Sequence, residues 1–179
     1  MKAWSLFTLF FLTLILCGCI TTPDKGSAAR SQKPSVLLTE FQNATPDEHA
    51  STTVTDIVGT LLLKKGISFE SFTPNHNLLE DNKPQPREAA LAHAKSKGLP
   101  YVVTGVVHEY RYKVDLNGDP VVGMTLTLLD SSTGQVAWQA SGSHVGIGIN
   151  SLTSTAQVAA RKLISSMPLG SNRGSKKTR

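Results

Sequence analysis

A chain of 179 residues with a mean hydropathy of −0.08 suits one domain with appendages. Its formal charge is +5, yet eight of the 18 cations and one of the 13 acids lie outside residues 35–169, leaving ten cations against twelve acids in the centre. A slightly acidic centre with no basic patch argues against a nucleic-acid partner, and the lack of cysteine after Cys19 excludes a disulfide scaffold.

In chain order, residues 1–18 have the build of a signal peptide: Lys2 gives a positive start and Trp4 to Leu16 a short apolar run. A stable membrane span needs roughly 20 apolar residues, so this run is short for one. Leu16-Cys17-Gly18-Cys19 directly behind it resembles the bacterial lipobox. That resemblance implies cleavage before Cys19 and acylation of its thiol, making Cys19 the contact with outer-membrane lipid. Ile20 follows where an inner-membrane retention signal would carry Asp, so the implied location is the outer membrane, facing the periplasm. Residues 19–34 are then the lipidated cysteine and a polar, aperiodic tether. At ~3.3–3.6 Å per residue, that tether reaches roughly 50 Å when extended, which keeps the domain near the membrane.

Residues 35–169 carry the fold. Val36 to Phe41 is a mostly apolar run that predicts a strand covered on both faces. From about Asp47 to Lys65 the apolar positions Val54, Ile57, Val58, Leu61 and Leu62 share one helical face, and Gly66 follows as a stop. Ile67 to Phe72 predicts a second strand, parallel to the first through a crossover. Thr73 to Pro86 is a Pro- and Asn-rich loop, whose Glu80-Asp81 pair is solvated surface. Arg87 to Lys97 is an Ala-rich helix. Tyr101 to Val114 alternates, with Tyr110 and Tyr112 expected beside Val102 and Val106, and Glu109 and Arg111 on the other face.

A polar turn, Asp115 to Pro120, leads to a return strand with Val122, Met124, Leu126 and Leu128 on one face. A further strand is expected over Gln135 to Ser141, with Val136, Trp138 and Ala140 in register. A last helix is expected from about Ser151 to Met167, and residues 170–179 form a basic tail. The order β-α-β-α-β-β-β-α describes an α/β fold, a three-layer-like sandwich with one mixed sheet.

Chemistry is conspicuous by what the motifs lack. No histidine spacing suits a metal, no G-x-S-x-G elbow is present, and no cofactor is expected. Gly146-Ile147-Gly148 lacks the third glycine and the β-α-β setting of a dinucleotide site. Ile147 and Ile149 have two readings: side chains tucked under the last helix, or an apolar tip that meets lipid or a neighbouring subunit.

The run Tyr110-Arg111-Tyr112-Lys113-Val114, then Gly118-Asp119-Pro120 with Val122-Gly123-Met124-Thr125-Leu126, then Gly134-Gln135-Val136-Ala137-Trp138, resembles the PelC family of Pel exopolysaccharide secretion systems. The resemblance implies a fold similar to the TolB amino-terminal domain and no catalysis. It also implies a homo-oligomeric ring of twelve subunits below the outer membrane, whose acidic surface guides a cationic exopolysaccharide to a PelB-type export barrel. On that footing Glu109, Asp115 and Asp119 are the candidate polymer-guiding acids; Asp115 and Asp119 are equally good turn formers. The family places an aromatic residue before the last helix, where this chain has Ile147 and Ile149. Two other readings are a CsgG-like secretion component, for which the loops leave no room for barrel strands, and an LpoB-like activator of an envelope enzyme, which wants a longer tether.

Overall fold

The computed structural model describes residues 35–73, 87–114 and 118–169. The expected signal peptide, Cys19, the tether, the Glu80-Asp81 pair, Asp115 and the basic tail lie outside the described residues.

Strand β1 (Val36–Thr39) is buried at all four positions, as a run apolar on both faces requires. It stops short of the expected Phe41, and the chain resumes as β2 (Gln42–Asn43), a two-residue strand at positions whose composition indicates a break. There Asn43 accepts the N–H of Thr45 at 2.9 Å and donates to the Asp47 carbonyl at 2.6 Å, turning the backbone into helix α1 (Ala50–Lys64). Strand β3 (Phe69–Phe72) runs parallel to β1, as expected from the crossover order.

Helix α2 (Arg87–Lys97) then leads to β4 (Tyr101–Tyr112), β5 (Pro120–Asp130) and β6 (Val136–Val145), an antiparallel meander closed by helix α3 (Leu152–Ser166). The mixed sheet has the order β3-β1-β4-β5-β6, with β2 also on β4.

Helices α1 and α3 cover one face. Val54, Val58 and Leu62 from α1, and Ala156, Ala160 and Ile164 from α3, pack on Leu38, Val103, Val107, Met124 and Leu126. Gly59 lets α1 close on the sheet, since a Cβ there would lie 2.8 Å from the Phe69 ring. A smaller core on the opposite face joins Ala90 and Ala94 of α2 to Leu37, Leu99, Val102 and Leu129. Alanines at the contact allow the close approach.

Two expectations fail at β-bulges. In β4, Val107 pairs with Met124 but Glu109 pairs with Gly123, so His108 is an extra residue and the alternation changes phase. Tyr110 therefore joins Val103 and Val107 in the main core instead of sharing a face with Val102 and Val106. In β6, Leu128 pairs with Trp138 and Leu129 with Val136, so Ala137 is extra. Trp138 and Ala140 still pack on the main core, but Val136 is turned out and 50% exposed. That strand also continues past the expected Ser141 to Val145.

Lys65 fastens the two core helices together at one end. Its Nζ donates to the carbonyls of Ile164 at 2.6 Å and Met167 at 2.5 Å, at the C-terminus of α3 where carbonyls lack the full set of intrahelical partners. Partial burial pulls the Lys65 pKa below its ordinary value. Lys65→Met keeps the stem and removes the charge; it is expected to cost about 1 kcal/mol, a typical worth for a cation at a helix terminus, measurable by chemical denaturation.

Candidate functional surface

The acid-bearing turn and the isoleucine loop come to the same end of the sheet. The Lys113 N–H donates to the Asp119 carbonyl at 2.8 Å, closing the turn, and Pro120 is buried as the first residue of β5. The Pro120 carbonyl accepts the Gly146 N–H at 2.8 Å. Gly146 has no room for a side chain: a Cβ would lie 2.7 Å from Thr155 Oγ1 and 2.9 Å from Pro120 Cγ. The loop after β6 is thereby fastened one residue from Asp119.

Beyond Gly146 the loop is braced from within. The Ile147 N–H donates to Asn150 Oδ1 at 2.9 Å, and the Asn150 N–H returns to the Ile147 carbonyl at 2.7 Å. Ser151 and Ser154 then cap α3 reciprocally, the side chain of each accepting from the backbone N–H of the other at 3.1 Å. This frame holds Ile147 62% and Ile149 90% exposed. The two side chains form a tip in solvent and are not tucked under the helix.

The candidate acids differ in setting. Among the described residues no cation lies within ion-pair distance of Asp119, which is half-buried. Glu109 is paired: its Oε1 lies 2.7 Å from an Arg111 guanidinium nitrogen, so its charge is locally compensated. That pair sits on the face opposite the main core. On the same face a polar ladder crosses three strands, with His108 Nε2 2.8 Å from Thr125 Oγ1 and Thr125 Oγ1 2.7 Å from Ser141 Oγ. Sequence reasoning missed this ladder, because nothing local announces it until the bulge and the register are known.

The remaining titratable contacts are structural. Glu70 of β3 lies 2.8 Å from His93 Nε2 and 3.8 Å from Lys97 Nζ, both on α2, while the His93 ring packs on Phe72 at 4.6 Å. The His93 hydrogen bond, helped by Lys97, holds the Glu70 carboxyl below its ordinary range. A lowered carboxyl pKa adds stability above the unfolded value and loses it as pH falls through the folded one. The attachment of α2 to β3 is thus expected to weaken as pH falls below about 4.5, the ordinary Glu value. Thermal melting against pH should show a shallower acid limb in Glu70→Gln than in the parent. Asp130 is lowered in the same sense by the Ser132 hydroxyl and the Thr133 N–H, which it gathers into the turn between β5 and β6.

Among the described residues no three His, Cys, Asp or Glu side chains form a metal-ligating group, and no helix is long and apolar enough to cross a membrane.

No protein-family model and no curated protein sequence matches the chain. Solved structures do. A PelC dodecamer from Paraburkholderia phytofirmans is 30% identical with a TM-score of 0.62, over 74% of this chain and 86% of that one. A second crystal form of PelC from that organism gives 29% identity and a TM-score of 0.61, over 74% and 87%. Lipoprotein GNA1162 from Neisseria meningitidis, at 18% identity and a TM-score of 0.55 over 74% and 96%, shares the fold. Identity of 30% sustained over 86% of a PelC chain, with a TM-score of 0.62, makes this chain a member of the PelC family.

Proposed function

We propose that this chain is a lipid-anchored outer-membrane component of a Pel exopolysaccharide secretion apparatus. It assembles with copies of itself into a ring on the periplasmic side and conducts a cationic polymer to a PelB-type export barrel. The role is conduction, not catalysis. The observation that carries this reading is the extent of the likeness to PelC, whose solved structures are dodecamers.

The physics of conduction is electrostatic. One acid per subunit, repeated around an axis within low-dielectric walls, raises the local concentration of a cationic chain. Such a field acts over roughly 8–10 Å at physiological salt, so only acids at the lumen contribute. Asp119 and Asp115 are the leading contributors in this reading, since Arg111 already offsets Glu109. Asp119 and the isoleucine tip share one end of the subunit. If Ile147 and Ile149 meet lipid, the acids stand on the membrane side of the ring, where the polymer passes to the barrel.

Charge reversal tests it. Asp119→Lys combined with Glu109→Lys is expected to lower extracellular polymer severalfold, with the purified variant melting close to the parent. Asp119→Lys alone should account for most of the loss. Export at the parental level would remove both residues from the polymer's path.

A further inference from the structure

The sheet ends on two unlike edges. Strand β3 is four residues long and carries Glu70, which His93 and Lys97 tie back to α2. Strand β6 is ten residues long and, among the described residues, pairs only with β5. Its sequence, VAWQASGSHV, contains no Asp, Glu, Lys, Arg or Pro. One rim of backbone N–H and C=O groups is therefore open over most of the length of a strand with nothing to repel a partner. Soluble sheets guard such an edge with a charge, a proline, a short strand or a cover; here a single bulge at Ala137, near one end, is the only such device.

The face beside that edge is also open. Helix α2 covers β1, the start of β4 and Leu129 of β5, and no described helix covers the outer face of β6, whose residues are exposed or half-buried while β5 is mostly buried. Val145 is 44% exposed there and Val136 50%. The polar groups between them are already bonded to one another: His108 to Thr125, Thr125 to Ser141, Glu109 to Arg111. A surface whose polar groups are satisfied internally is covered at little desolvation cost.

We propose that β6 is the subunit-docking edge, its open rim covered by a second copy of this chain. The proposal rests on the ring reading above and gives that ring a contact surface. A second copy is the occupant because the related PelC structures are dodecamers and because an uncharged rim has no electrostatic means of selecting a charged partner. In a closed cyclic ring the contact is head-to-tail, so β6 meets a different surface of its neighbour and does not pair with itself.

Amide hydrogen exchange on the full-length protein, purified in detergent and resolved along residues 136–145, tests this alongside sedimentation. In an uncovered edge strand alternate amides, those turned away from β5, exchange fast. In the assembly all of them are expected to be slow. A Gln139→Lys and Ser143→Lys double variant, charging two exposed positions of β6, is expected to melt near the parent and to need at least tenfold more protein to assemble. Fast alternate amides in an assembled parent would overturn the proposal while leaving the ring intact. So would a folded double variant that assembles like the parent. Slow amides in a monomeric species would assign the rim to a segment of the same chain, which also overturns it. A parent that sediments as a monomer at every concentration would sink the ring reading itself, and this inference with it.

Discussion

Gly105→Val, at a buried position of β4, is expected to lower the melting temperature by roughly 10 °C or to prevent folding. The residue sits at the centre of the β4–β5 pairing, opposite Leu126. A Cβ added there would lie 2.5 Å from the Thr125 carbonyl oxygen and 2.7 Å from the Phe41 ring. Phe41 is 3% exposed and belongs to the main core, so its ring has nowhere to go. The carbonyl belongs to the backbone of the neighbouring strand and yields only if the ladder does. Overpacking a core typically costs ~1–3 kcal/mol, and an obstruction by backbone belongs at or above the upper end. Relief from glycine's entropic penalty returns only about 0.5–1 kcal/mol. Removing the ring tests the cause: in a Phe41→Ala background the added cost of Gly105→Ala should shrink without vanishing, because the carbonyl remains. An unchanged melting temperature in Gly105→Val would contradict the packing described here.

Cys19→Ser is expected to have the largest effect on location. Without the Cys19 thiol the proposed acylation site is gone, and the proposed anchor with it. Each buried CH₂ contributes about 0.8 kcal/mol, so removing several acyl chains removes far more attachment than two isoleucines per subunit supply. The variant is expected to leave the outer-membrane fraction almost completely, and extracellular polymer is expected to fall with it. Ile147 and Ile149 replaced by Ser should leave the anchored protein in the membrane fraction. Fractionation by density gradient reads both results, and a Cys19→Ser protein still recovered in the outer membrane would remove the lipid anchor from the account.

The elements most legible in the sequence were those with a strong period and local punctuation. Val54, Ile57, Val58, Leu61 and Leu62 announced α1 because helical spacing is set within two turns. Strand β1 was legible because four consecutive buried residues leave an apolar run. What was not legible depended on partners far along the chain. Gln42 and Asn43 look like a break, and only pairing with Val106 and Val107 makes them a strand. Ser141 to Val145 is poor in strand formers, yet Val121 to Thr125 supply a ladder that carries β6 to its end. The bulge at His108 inverted the expected faces beyond it, because alternation has period two and one extra residue reverses it.

The site divides in the same way. The ion pair that offsets the charge of Glu109 emerges only from the structure, whereas the face it shares with Arg111, two residues on in the same strand, was legible. That Ile147 and Ile149 stand in solvent was not, since either outcome suits two isoleucines between glycines. The bond from Gly146 to Pro120, which brings tip and acid together, joins residues 26 positions apart and leaves no local trace.

Above all, this chain is proposed to conduct an exported polysaccharide at the outer membrane. The most direct test is extracellular polymer in a strain whose own copy of this chain is deleted, with and without complementation. Export is expected to collapse on deletion while polymer accumulates inside the envelope, and the parental chain is expected to restore it. Unchanged extracellular polymer in the deletion strain, with the other secretion components present, would contradict it.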